Sequence, residues 1–270
     1  MDEFSAIERR GWAASADHYD DHFGRHAIRA VPGILDALGP LQGRRLLEVC
    51  CGTGHLARAA AARGALAEGL DFSPNMVARA VALHPALSFH QGDAQALPFD
   101  DGSFAAVACG FGLMHLPDAD RGIAEACRVL GPGGRYAFTV WCSPEQGNGM
   151  NGMLAGIIAE HGDPAVELPA APPVYRLADP DEARRAMAAA GFREVAVDTL
   201  DIVAEFDEPD GILEMIRKST VRLAMTLAAQ PPAHRARIER EIPVAAEGFR
   251  RADGRIRFAH PARLVSGTRV

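Results

Sequence analysis

LLEVCCGTGH, Leu46 to His55, is the stretch on which the fold turns. Leu46–Cys50 is a run of strand-forming residues, stopped by two small cysteines and a Gly-x-Gly turn at Gly52 and Gly54. A helical pattern starts at once, from His55 to Arg63. Asp71, 17 residues beyond Gly54, closes a second apolar run, LAEGLD (Leu66–Asp71). Strand, glycine turn, helix, strand and terminal acid form half of a nucleotide-binding α/β unit. The glycines let the backbone approach a ligand closely, and the acid stands where a ribose diol needs an acceptor.

Alternation continues on both sides of this unit. Residues 3–38 read as helices, with Ala27, Val31, Leu35 and Leu38 on one apolar face. Ser73-Pro74 opens a helix to about His84, as an N-cap followed by proline in the first turn. Strands are expected at Leu87–Gln91, Phe104–Gly110 and Arg135–Trp141, with a helix opened by Asp118 and ended by Gly131-Pro132 between the last two. A helix at Asp179–Ala190, a strand at Phe192–Leu200 and a last strand at Ile256–Thr268 complete the chain. This order predicts one Rossmann-like α/β domain over residues 1–270, a seven-stranded, mainly parallel sheet with helices on both faces and a helical cap. Within it, 1–40 are entry helices, 41–142 the cofactor-binding core, and 178–207 and 251–270 the C-terminal strands. Residues 143–177 and 208–250 read as insertions over the sheet. The first is rich in Gly and Met, and we expect the two to form a mobile lid that selects the substrate.

Composition narrows the classes. A net charge of -7 and basic residues that never cluster disfavour nucleic acid. No apolar run reaches membrane-spanning length, so no membrane insertion is expected. Five cysteines without regular spacing, and a polar start MDEFSAIERRGW, fit a reduced cytoplasmic protein.

Three further segments join the glycine loop: GDAQALPFDDGSF (Gly92–Phe104), CGFGLMHLPD (Cys109–Asp118) and RVLGPGGRYAFTVW (Arg128–Trp141). Together they resemble the class I S-adenosylmethionine-dependent methyltransferases, in the branch similar to the ubiquinone and menaquinone biosynthesis enzymes. The resemblance is strong over residues 8–142 and moderate over 178–200. WAASADHYDDHFG (Trp12–Gly24) resembles that branch's entry helix. It implies S-adenosylmethionine as cofactor and a small, partly apolar metabolite as methyl acceptor, at carbon or oxygen. It also implies roles. The backbone at Cys50, Gly52 and Gly54 passes beneath the methionine moiety, and Glu48 helps hold its ammonium. Asp71 accepts the ribose hydroxyls, Phe72 and Met76 pack on adenine, and Asp93 with Ala94 reads the adenine edge. Gly110 meets the methionine end, and Tyr19 closes over the cofactor. Cys50 departs from the usual Gly or Ala.

The physical reading agrees, since a sulfonium without phosphate calls for acidic and carbonyl acceptors, which Glu48, Asp71 and Asp93 supply at successive strand ends. His115 follows strand four where the fold faces its acceptor; it reads equally as a base or as a capping residue. His18, His22 and His26, four apart, read as a half-solvated helix face rather than a metal site, and no metal is expected. Cys50, Cys109 and Cys142 read as small fillers at neighbouring strand ends. Two alternatives stay open. One is an NAD(P)-dependent oxidoreductase, although Lys218 has no Tyr partner at the required spacing. The other is an S-adenosylmethionine-binding protein without turnover.

Overall fold

The structure, a computed structural model, describes residues 2–270. Its strands, in chain order, are β1 (Arg45–Val49), β2 (Leu66–Asp71), β3 (Ser88–Gln91), β4 (Phe104–Gly110), β5 (Leu130–Trp141), β6 (Phe192–Leu200), β7 (Val203–Phe206), β8 (Ile256–Ala259) and β9 (Ala262–Arg269). Seven of them form one sheet in the order β3-β2-β1-β4-β5-β9-β6. The pairs β1–β2, β2–β3, β1–β4 and β4–β5 are parallel, and β9 runs antiparallel to both β5 and β6. Strand order reverses between β1 and β4, so the crevice at their carboxyl ends is where an open α/β sheet takes its ligand.

Side-chain alternation sorts the two faces of this sheet. Leu47, Val49, Val107, Cys109, Tyr136 and Phe138 point to one side, against the helices Ala119–Val129 and Pro180–Ala189. Leu46, Ala106, Ala108 and Ala137 point to the other, against Val31–Leu38 and His55–Ala62. Alanines on that second face let those two helices approach closely. Each fully buried Leu or Phe here contributes on the order of 1.5–3 kcal/mol.

The C-terminal strand differs from the sequence expectation. His260-Pro261 breaks it, because proline has no N–H for the ladder and His260 N donates instead to Ile202 O at 2.8 Å. The first half, β8, leaves the main sheet and pairs with β7 as a separate two-stranded ribbon. Around that ribbon a third core forms. Met150, Leu154 and Ile157 from the helix Gly149–His161 meet Ile212 and Ile216 from Asp210–Ser219, Ile238 and Ile242 from Pro232–Glu247, and Phe206 and Phe258. The helix Gly149–His161, expected in a mobile lid, is thus packed. Its Met, Leu and Ile side chains are apolar because they are buried. Backbone amides of Ala155–His161 should exchange slowly in the free protein, and a fast-exchanging segment would contradict this packing.

The helical N-terminal segment also departs from expectation. A five-residue π-turn at Asp20–Gly24 shifts the register, so His26 turns inward to 1% exposure while His18 stays exposed. His26 and His260 are both buried, and among the described residues their ring nitrogens have no hydrogen-bond partner. Burial, reinforced by Arg25 and Arg29, pushes His26 down from 6.5 to about 4. Burial, reinforced by His26, pushes His260 down to about 3. Both are neutral when folded, so the stability they permit is complete above pH 6.5. It is lost as pH falls through the range where only the unfolded chain takes up protons. Denaturant unfolding should therefore show stability dropping from pH 6.5 towards 4. His260→Phe, which keeps an aromatic edge towards Trp141, should flatten that drop.

Candidate active site

The carboxyl ends of β1 to β4 open into a cavity of about 550 Å³. Cys50 and Gly52 line it from β1, Asp71 and Phe72 from β2, and Asp93 and Ala94 from β3. Gly110, Phe111, Gly112 and His115 line it from β4, and Met76 from the helix after β2. Tyr19 lines it from the N-terminal segment. A smaller chamber of about 60 Å³ adjoins, shares Tyr19, Cys50, Gly52, Gly110 and Phe111, and is lined also by Glu48.

Asp71 is the anchor of the floor. Its side chain is 5% exposed, Oδ2 accepts from Gly52 N and Oδ1 from Ser73 N, both at 2.9 Å. Among the described residues no Arg, Lys or His makes an ion pair with it. Burial outweighs those two bonds and raises its carboxyl to about 6. Glu48 is also buried, and its Oε2 accepts from Ala57 N at 2.7 Å. Burial pushes this carboxyl well above the usual range. Glu48 thus occupies a backbone donor in the first turn of the helix His55–Ala62, a position that in dinucleotide sites faces the pyrophosphate. Asp93 is partly engaged already, because Oδ1 accepts from Gln95 N at 2.8 Å and from Gln95 Nε2 at 3.1 Å.

Two non-glycine residues on the cavity wall sit in the left-handed region, Cys50 at φ 53° and Phe111 at φ 59°. Such conformations cost about 1–3 kcal/mol each. Phe111 is held by stacking on Trp141, with centroids 3.8 Å apart and planes at 12°. The Cys109 thiol beside Cys50, together with burial, pushes the Cys50 thiol up. Cys109 and Cys142 are buried free thiols.

The structure brings together Tyr19, Cys50, Gly52, Asp71, Phe72, Met76, Asp93, Ala94, Gly110 and His115 at the main cavity. Glu48 lies one chamber away, and Gly54 lies at neither. A Cβ on Gly54 would come 2.6 Å from Phe89 Cζ, and its φ is 81°. Gly54 therefore serves helix–strand packing and the left-handed entry to the helix, in place of the ligand contact expected from sequence.

The cover over the cavity comes from an unexpected quarter. Residues 143–177 and 208–250 do not line it; the first helix, Glu3–Ser15, does, through Ser5, Arg9 and Trp12. Pro172–Val174 line instead a second cavity of about 380 Å³ beyond Leu116 and Pro117. Asp20 fastens the N-terminal segment to the glycine loop by accepting from Thr53 Oγ1 at 2.7 Å, with His55 Nε2 at 2.8 Å from the same oxygen. Asn75 Nδ2 donates to Ala13 O at 3.0 Å. Beneath this helix His115 Nδ1 lies 2.9 Å from Glu8 Oε2, and its ring meets Trp12 edge-on at 4.9 Å. Glu8 was not singled out from the sequence; its one local signal is the spacing of four to Trp12 within the same helix. Nothing local announced that a residue 107 positions away would join them.

Residues 46–134 match a family model described as a methyltransferase domain. The demethylmenaquinone methyltransferase of Beutenbergia cavernae is 43% identical over 110 residues, 41% of this chain and 46% of that protein. The 2-phytyl-1,4-naphtoquinone methyltransferase of Synechocystis sp. is 36% identical over 149 residues, 49% of this chain and 61% of that protein. The chain spans about half the length of the curated relatives it matches. The solved YcgJ protein of Bacillus subtilis superimposes with a TM-score of 0.57 at 18% identity, over 89% of this chain and 97% of that one, which speaks to the fold alone.

The floor of the cavity is tight at Gly112. A Cβ there would lie 2.3 Å from Cys50 Cβ and 2.8 Å from both the Cys50 and Cys109 Sγ atoms. Gly112→Ala should destabilise the protein by about 1–3 kcal/mol. Cys50→Gly should be tolerated, because glycine accepts the positive φ. The double variant should recover part of the loss, and strict additivity in denaturant unfolding would show that the two residues do not press on each other.

Proposed function

We propose, from a nucleotide-binding core that belongs to the class I S-adenosylmethionine-dependent methyltransferases, that the protein transfers the S-methyl group of S-adenosylmethionine to a small, partly apolar acceptor at carbon or oxygen. The observation that carries this reading is the paired use of Glu48 and Asp71. Glu48 takes up the Ala57 N–H at the helix start where a dinucleotide would bring phosphate, so that donor is not free for a pyrophosphate. Asp71 offers a buried carboxylate with no cation of its own. Such a site suits a cationic nucleoside without phosphate, and argues against the oxidoreductase. The similarity to a demethylmenaquinone methyltransferase and a 2-phytyl-1,4-naphtoquinone methyltransferase supports a flat, apolar acceptor.

The cofactor supplies a methyl group on a positively charged sulfur; the chain supplies binding and alignment. Asp71 accepts the ribose hydroxyls while Gly52 and Ser73 keep its oxygens fixed. Phe72 and Met76 pack on the adenine, and the backbone at Asp93 and Ala94 reads its edge. Cys50, Gly52 and Gly110 pass close to the methionine end, and Glu48 lies at the adjoining chamber. Trp12 and Tyr19 cover the cavity and exclude water. Methyl transfer is an in-line displacement, so holding acceptor and methyl in line supplies much of the rate. His115 stands at the same cavity, where a proton leaving the acceptor can be received.

Calorimetry with S-adenosylhomocysteine, S-adenosylmethionine and NADH tests the reading, followed by methyl-release assays on quinols and naphthols. S-adenosylhomocysteine should bind, and Asp71→Ala should weaken it by about 1.5–3 kcal/mol. NADH binding without S-adenosylhomocysteine binding would refute the proposal. Acidity gives a second check. Asp71 is raised from 3.8 to about 6 in the free protein, so its own contribution to folding is complete below 3.8 and lost as pH rises through about 6. Ligand binding runs the opposite way, because ribose hydroxyls bond best to the ionised form. The dissociation constant should rise by up to about tenfold per pH unit below pH 6. Asp71→Asn should abolish that dependence.

A further inference from the structure

We propose that Glu8 is a positioning residue that presents the Nε2 lone pair of His115 to the cavity, and that the acceptor is therefore a hydroxylated aromatic ring that gives up its hydroxyl proton on methylation. This rests on the methyltransferase reading above and deepens it.

Glu8 is fully buried, at 0% exposure, on a helix that otherwise faces the cavity with neutral and basic groups. A buried carboxylate is costly unless its partners are well placed. Two partners meet one oxygen. Trp12 Nε1 lies 2.9 Å from Oε2, and His115 Nδ1 lies 2.9 Å from the same atom. An indole N–H only donates, so Oε2 accepts from Trp12; with Glu8 ionised the same oxygen can only accept from His115 as well, which puts the imidazole proton on this side at Nδ1. In the neutral ring the other nitrogen, Nε2, then carries the lone pair. Among the described residues Nε2 has no hydrogen-bond partner, and His115 lines the main cavity. The second carboxylate oxygen, Oε1, is buried and unpartnered, which leaves negative charge concentrated behind the ring. A helix merely fastened to the loop would be served as well by an apolar contact. A carboxylate behind an imidazole additionally fixes its tautomer and stabilises the imidazolium formed when it takes a proton.

That chemistry selects the acceptor. A tertiary amine or a thioether has no proton to lose and makes no use of this pair. A phenol or quinol does. The flat walls supplied by Trp12, Tyr19 and Phe111 fit a planar ring beside His115. In the step, the acceptor oxygen, or the ring carbon conjugated with it, forms a bond to the methyl carbon. The carbon–sulfur bond breaks with its electron pair left on sulfur, and the hydroxyl proton passes to Nε2. A carbon-methylated product then regains aromaticity by moving its ring proton to oxygen. The positive charge lost from sulfur reappears on the imidazolium, held against Glu8, until the proton leaves to water.

Nitrogen-15 NMR of histidine-labelled protein reads the first half directly. Wild type should show the Nδ1–H form of His115, and Glu8→Leu should lose that preference while the fold, checked by circular dichroism, persists. Should Glu8→Leu fail to fold, Glu8→Gln and the wild-type tautomer carry the test. An Nε2–H form in wild type would overturn the proposal. The second half uses naphthols of graded acidity as probes. His115→Ala and Glu8→Gln should lower turnover on weakly acidic naphthols, His115→Ala by roughly 10²–10⁴-fold. A nitronaphthol already ionised at the assay pH should be spared, S-adenosylhomocysteine affinity should be unchanged, and added imidazole should partly rescue His115→Ala. Equal losses on both kinds of naphthol would overturn the role of the pair. If no naphthol is methylated, the hydroxylated-ring acceptor is overturned and the tautomer still decides the positioning role. Failure to bind S-adenosylhomocysteine would instead overturn the underlying methyltransferase reading.

Discussion

The hydrogen bond from Gly52 N–H to Asp71 Oδ2, 2.9 Å long, ties the loop after β1 to the end of β2. Much of the site depends on that tie. It holds the glycine loop open at a fixed height above the sheet, and it holds a carboxylate out of water where a ligand can reach it. Two backbone donors lower the cost of the buried charge without cancelling it, which is why the carboxyl is still raised to about 6. The unspent part of that cost leaves the carboxylate able to accept from a further donor. Glu48 is used differently. Its carboxylate is turned to Ala57 N–H, so it secures the helix after the loop and denies that helix start to phosphate.

Strain collects at the same place. Cys50 and Phe111 follow the two strands on either side of the switch point, and both take a left-handed backbone. Neither is glycine, so each must be held by its surroundings. The stack of Phe111 on Trp141 and the contact of Cys50 with Cys109 and Gly112 do this from within the core. Cys50 is compatible with this geometry because Gly112 leaves room beside it. The two loops are therefore matched in size, and the cavity floor is set by that match.

The N-terminal helix is the part of the chain that covers the cleft at the strand ends. It carries Arg9 and Trp12 to the cavity and Glu8 to His115. Asp20 then ties the following turn back to Thr53 and His55. The segments 143–177 and 208–250 have another occupation. With β7 and β8 they enclose a third core beside the main sheet.

The sequence by itself determined the cofactor half. Strand, glycine loop, helix and acid are local patterns, and Leu66–Asp71, Phe104–Gly110 and Phe192–Leu200 fall where periodicity and punctuation put them. The terminal acids of three strands were legible for the same reason, since parallel pairing brings successive strand ends together. Tertiary structure alone decided the rest. Gly54 looked like a ligand contact until Phe89 was seen to fill the space beside it. The apolar residues of 149–161 looked like a lid and are core, because hydrophobicity says that a side chain is buried and not against what. The break at His260-Pro261 and the inward turn of His26 depend on a proline and a π-turn whose consequences are felt in other elements. Glu8 meets His115 across 107 residues, a contact set by how a helix lies over a sheet. Local sequence encodes local geometry; a site assembled from distant elements exists only once packing has chosen their distance.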